Sequence, residues 1–176
     1  MRIFLGTFLE PEYINNIPFS ELEALFNGNL KSMNKTNTHI TWLFIGEVND
    51  TFVPNIINHL DGAMHVFKDI VFNSHKIQLW PPKKTPRLIV IDGKLNKNIS
   101  LEKLCLEIKD YCVPDLKKDF IPHITIARFK KDVSVSRKIS LPAIKGFSWN
   151  IKEIKLIKST LQSSGPVYES IKTWHV

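Results

Sequence analysis

The tetrapeptides His39-Ile40-Thr41-Trp42 and His123-Ile124-Thr125-Ile126 constrain this chain more than any other feature of it. In an extended strand, side chains alternate between faces with a period of two, so each tetrapeptide turns its His and Thr to one side and its two apolar residues to the other. Both lie in runs rich in β-branched and aromatic residues, His39–Val48 and Phe120–Phe129, which read as strands. Of the six histidines, these two have Thr at the second following position and share the intervening Ile. Such a coincidence has a chance of roughly one in thirty before the shared Ile is counted. The pattern predicts a site built from two matching strands that offers two imidazoles and two hydroxyls to one ligand.

Around the motifs, strand-like and helix-like segments alternate. Arg2–Leu9 reads as a strand stopped by Glu10-Pro11, and a helix lies within Pro18–Phe26. The polar stretch from Gly28 to Thr38 reads as loop, and Pro54 starts a helix that runs to Phe67. Ile70–Leu79 and Arg87–Ile91 are strands flanking a loop whose prolines, Pro81, Pro82 and Pro86, bar it from the middle of a sheet. Leu101–Val113 has a helical apolar stripe. The last strands are Ile144–Leu161, interrupted near Trp149-Asn150, and Val167–Trp174. The order is β-α-β-α-β-β-α-β-β-β, with each motif strand preceded by a helix and a loop. An internal pseudo-repeat accounts for that symmetry, each half giving a small sheet with one His-x-Thr strand. At 176 residues, the expected unit is one bilobal domain spanning 1–176.

The net charge of +7 favours a polyanionic partner such as RNA. The basic residues are scattered, with small concentrations at Lys83-Lys84-Arg87, Lys117-Lys118 and Arg128-Lys130-Lys131, so charge alone does not establish one. The two cysteines, Cys105 and Cys112, would stand roughly 10 Å apart along a helix, too far for a disulfide. No secretory leader or membrane-length apolar stretch is found, so a cytoplasmic, reducing compartment and a monomer are the default expectations.

An imidazole with an ordinary pKa near 6.5 serves as base or acid at neutral pH. Two of them on opposite sides of a ligand can divide the work, one taking a proton from water and the other protonating a leaving oxygen. A Thr hydroxyl two residues along the same strand face can donate to a non-bridging oxygen as charge builds. Two His and two Thr converging on a tetrahedral anion suit in-line phosphoryl chemistry without a metal. Neither motif has an Asp, Glu or Cys close by to complete a metal-ligand set. No nucleophile elbow, phosphate loop or dinucleotide fingerprint occurs, so no cofactor is expected.

Four stretches, in order along nearly the whole chain, carry a resemblance to a family: Arg2-Ile3-Phe4-Leu5; the run from His39 to Val48; Phe120-Ile121-Pro122-His123-Ile124-Thr125-Ile126-Ala127-Arg128; and Ser159-Thr160-Leu161 with Gly165-Pro166-Val167-Tyr168. They resemble the two-histidine (2H) phosphoesterases, in particular the bacterial and archaeal RNA 2′,3′-cyclic phosphodiesterases, also called 2′-5′ RNA ligases. The resemblance implies a bilobal α+β fold, two antiparallel sheets with outer helices around a central cleft. It implies hydrolysis of a 2′,3′-cyclic phosphate, at an RNA end or on a nucleotide, to a 2′-phosphate. By family role His39 is the general acid, His123 the base, Thr41 and Thr125 hold the phosphate, and Arg128 neutralises it. Strict alternation, however, puts Arg128 on the face opposite His123 and Thr125, so that role requires the strand to twist, bulge or end there. Phe4 is a candidate base-stacking platform. The competing functions are cleavage of 2′-5′ phosphodiester bonds, as in 2′-5′ oligoadenylates, and, in a different class, a non-catalytic RNA-binding module.

Overall fold

The strands that the period-two runs predict all form, and they join edge to edge. The structure, a computed structural model, describes residues 1–176 other than 83, 84, 112–119, 132, 134, 137 and 164. Its strands are β1 (Arg2–Phe8), β2 (Leu30–Ser32), β3 (His39–Glu47), β4 (Val71–Trp80), β5 (Leu88–Leu95), β6 (His123–Phe129), β7 (Ser148–Asn150), β8 (Glu153–Gln162) and β9 (Gly165–His175). The helices are α1 (Pro11–Ile14), α2 (Phe19–Leu25), α3 (Val53–Ala63) and α4 (Leu101–Ile108). Among the described residues no helix is long and apolar enough to cross a membrane.

The sheet order is β7-β4-β5-β6-β3-β1-β8-β9, every pairing is antiparallel, and β2 adds to β6. The expected two sheets are recognisable as β7-β4-β5-β6 and β3-β1-β8-β9, each holding one motif strand at its inner edge. They meet at one paired position, Ile40 opposite Ile124, which makes the sheet continuous. Apolar side chains on the outer face of the sheet, including Ile3, Leu5, Ile40, Trp42, Ile124 and Ile126, pack with those of α3 and α4 into the main core. Trp42 is fixed there by its indole N–H, which donates to Thr7 Oγ1 at 2.8 Å, while Thr7 donates to the Glu153 carbonyl at 2.8 Å. A buried indole and hydroxyl are thereby satisfied together.

Several boundaries differ from the sequence expectation. The stretch from Gly28 to Thr38 is not all loop: Leu30–Ser32 pairs with β6, and Lys35–Asn37 forms a 3₁₀ turn in which the Thr36 N–H donates to the Asn34 side chain. Pro11–Ile14 forms a short helix that no apolar periodicity announces. The helix begun at Val53 tightens to 3₁₀ at Met64–Phe67, and the final strands are interrupted after Asn150, at residues 151 and 152. The end of the expected Leu101–Val113 helix, the Lys83-Lys84 and Lys117-Lys118 pairs and Cys112 fall outside the described residues.

Candidate active site

The Ile40–Ile124 pairing decides how the two motifs face each other. Extending that antiparallel register by one residue each way sets His39 across from Thr125 and Thr41 across from His123. Directly opposed side chains lie about 5 Å apart, and alternate residues along one strand roughly 7 Å. The four groups thus mark the corners of a quadrilateral with the imidazoles on one diagonal, roughly 8 Å apart at the backbone. All four are half-buried, while the intervening Ile40 and Ile124 are fully buried on the other face.

The imidazoles are held alike. His39 Nδ1 lies 2.6 Å from the Asn37 carbonyl and His123 Nδ1 lies 2.8 Å from the Ile121 carbonyl, two residues upstream in each case. A carbonyl only accepts, so Nδ1 carries the hydrogen in both rings. Each Nε2 is left with a lone pair when the ring is neutral and an N–H when it is charged. That is the atom able to take or give a proton. The Thr41 and Thr125 hydroxyls have no protein partner among the described residues.

Surroundings distinguish the two rings. Alternation along β1 brings Phe4 and Phe8 onto His39, with ring centroids 5.2 and 5.9 Å away, and Tyr168 of β9 meets it edge-on at 5.2 Å. Burial in this aromatic cage pushes His39 below the ordinary histidine range; the Asn37 carbonyl opposes the shift, and His123 and Arg128 add to it. His123 instead stacks in parallel on Trp80, centroids 5.1 Å apart and planes inclined by 13°, and Asp92 stands opposite it in the β5–β6 register. Burial pushes the Tyr168 phenol up against the opposing guanidiniums of Arg128 and Arg2, so it remains an O–H donor.

Arg128 reaches the motif face through a bulge. In the β5–β6 register Ile89 opposes Ala127 and Val90 opposes Thr125, so Ile126 is an extra residue and the parity flips after it. Arg128 then lines the cleft together with Tyr168. The first motif has the same device, since Leu5 opposes Leu43 and Gly6 opposes Thr41, with Trp42 extra. Phe44 stands at the position equivalent to Arg128, with the Arg2 guanidinium 4.7 Å above its ring.

Phe4 is on the motif face but only 3% exposed, its ring occupied by His39 and Tyr168. Packing against these two rings leaves little of Phe4 exposed. Arg2 and Tyr168 lie in stretches that carry the resemblance but have no role assigned by the motifs, and Phe8 and Trp80 lie outside those stretches. Period-two alternation from Phe4 finds Arg2 and Phe8, whereas Tyr168 and Trp80 depend on tertiary pairing. Among the described residues no group of three His, Cys, Asp or Glu side chains is arranged to hold a metal ion.

Comparison with known proteins finds relatives of matching length. A family model described as LigT-like phosphoesterase matches residues 19–90. The RNA 2′,3′-cyclic phosphodiesterase of Methanocaldococcus jannaschii is 30% identical, the match covering 99% of this chain and 100% of the relative. That of Aquifex aeolicus is 29% identical over 100% of this chain and 97% of its own. Among solved structures, Escherichia coli LigT complexed with 3′-AMP superimposes with a TM-score of 0.74 at 19% identity, covering 99% of this chain and 97% of that one. A Thermus thermophilus protein gives 0.69 at 21% identity, with coverages of 99% and 97%.

Proposed function

This chain belongs to the LigT-like phosphoesterases of the 2H family, and from that membership we propose that it hydrolyses 2′,3′-cyclic phosphates at RNA ends, without a metal, to 2′-phosphates. The observation that supports this reading most directly is the pair of Nδ1–H tautomers, fixed by equivalent carbonyls, whose Nε2 atoms belong to one strand face across a single paired position.

In the proposed reaction the cyclic phosphate sits between the two imidazoles. His123 Nε2 takes a proton from water, the water oxygen bonds to phosphorus, and the bond to the 3′ oxygen breaks in line with it. His39 Nε2–H protonates that 3′ oxygen, leaving the phosphate on the 2′ oxygen. Thr41 and Thr125 donate to the non-bridging oxygens, and Arg128 offsets the charge that accumulates there. Burial holds His39 neutral in the free protein, and an anionic phosphate beside it favours the protonated form that an acid requires. Phe4, Phe8 and Tyr168 fix the plane of its ring.

The test is incubation with adenosine 2′,3′-cyclic monophosphate in excess EDTA, resolving the two isomeric products. Clean 2′-phosphate supports the mechanism and its direction together. A 3′-phosphate product would reverse the assignment of leaving oxygen, and activity that disappears with EDTA would end the metal-free reading.

A further inference from the structure

Four of the 24 basic residues are arginine, and two of these, Arg2 and Arg128, belong to the motif face. In so lysine-rich a chain an arginine marks a place where a planar, forked donor serves better than a point charge, as against a phosphate. Arg128 stands past Thr125 on β6. Arg2 opens β1, and its guanidinium lies over Phe44, the next residue of β3 on this face after Thr41. Because β3 and β6 are antiparallel, the two arginines mark opposite ends of the face, with the His–Thr quadrilateral between them. Both act on the Tyr168 phenol.

Nothing in the protein neutralises Arg2. It is half-buried, yet its side chain makes no ion pair and no hydrogen bond among the described residues. Glu47, opposite it in the β1–β3 register, is exposed and forms no ion pair among them either. The Phe44 ring steadies the guanidinium at 4.7 Å but leaves its N–H donors without an oxygen to receive them. A cation partly withdrawn from water with unmet donors carries a desolvation cost, which an anion beside it offsets. Arg128, to which the resemblance gives the reacting phosphate, shares the signature: its guanidinium has no ion pair and no hydrogen bond among the described residues.

Resting on the reaction proposed above, we propose that Arg2 binds a second phosphate of the substrate, the one on the 5′ side of the terminal nucleoside of an RNA. Thr41 holds the reacting phosphate in that reaction, and Phe44 follows it on the same face by roughly 7 Å. One nucleoside spans such a step between consecutive phosphates. A cyclic mononucleotide with a free 5′ hydroxyl lacks the second anion, so Arg2 distinguishes an RNA end from a stray mononucleotide.

The experiment compares calorimetric binding of adenosine 2′-phosphate and adenosine 2′,5′-bisphosphate to the wild type, Arg2→Gln and Arg2→Lys. The wild type should bind the bisphosphate about tenfold more tightly, as one charge-assisted contact provides, and the advantage should shrink as salt is raised. Arg2→Gln, whose stem still covers Phe44, should bring the ratio close to one, and Arg2→Lys should keep part of it. Adenosine 2′-phosphate should bind all three proteins alike, which also shows that each is folded. A wild-type ratio near one, a ratio that survives Arg2→Gln, or no binding of either nucleotide would overturn the proposal. So would an equal loss on both nucleotides in Arg2→Gln, which would put Arg2 on the reacting phosphate or in the packing of β1. Because binding is read rather than turnover, an enzyme inactive on cyclic phosphates would defeat the reaction proposed above while this ratio still decided the role of Arg2.

Discussion

Replacing Phe4 separates support of the acid from recognition of a base. The ring is nearly fully buried between His39 and Tyr168, and Phe4 stands opposite Ile157 in the β1–β8 register. Truncation of such a residue to Ala costs about 3–5 kcal/mol, a large share of the 5–15 kcal/mol that holds a typical domain folded. Phe4→Leu keeps a branched apolar side chain and should cost about 2 kcal/mol, a fall in Tm of about 4–8 °C for a chain of this size. Removing the ring also readmits water to His39. Since burial is the leading cause of its depressed pKa, the value should climb toward 6.5 in the variant. NMR titration of the His39 ring reads that shift, and kcat on adenosine and cytidine 2′,3′-cyclic phosphates reads the misplacement. Both substrates should lose the same factor. An unmoved His39 titration, or a loss confined to one base, would refute the support role and restore base stacking.

His39→Ala and His123→Ala should each lower turnover by at least a hundredfold with the circular dichroism spectrum retained; more than a tenth of wild-type activity in either would remove that histidine from the chemistry. Arg128→Ala should lower kcat/KM about a hundredfold and Arg128→Lys less, measured on adenosine 2′,3′-cyclic monophosphate, whereas equal losses would mean that positive charge alone is not what Arg128 supplies. His39 also makes stability pH-dependent. Its folded pKa lies below the unfolded 6.5, so the unfolded chain binds more protons in that interval and stability falls as pH drops through it. Chemical denaturation between pH 7.5 and 5 should show this slope, and His39→Gln should flatten it.

How far the site was legible depended on how local its geometry is. Alternation within each tetrapeptide placed His39, Thr41, His123 and Thr125 on their faces, because the strand period acts residue by residue. Arg128 was not placed by that rule, since the Ile126 bulge is set by pairing with β5 and leaves no mark in the run Ile124-Thr125-Ile126-Ala127. Phe4 reads from the sequence more readily as core than as platform, and the approach of Tyr168 from β9 covers its ring. Leu30–Ser32 reads as loop in the sequence because a three-residue strand is too short to show a period. The helix at α3 was clear because its buried residues Val53, Ile56, Leu60 and Ala63 repeat at helical spacing.

The place of β1 has a consequence for the order in which the chain can become active. β1 lies between β3 and β8, and the Thr7–Glu153 hydrogen bond spans 146 residues. Loops that long make topology, rather than local propensity, the determinant of folding rate. During synthesis β1 can dock on β3 early, yet one of its edges stays unpaired until β8 has left the ribosome, and Tyr168 follows later still. A ribosome-stalled chain ending before β8 should therefore hold both His-x-Thr strands and no catalysis, its exposed β1 edge a surface for chaperones.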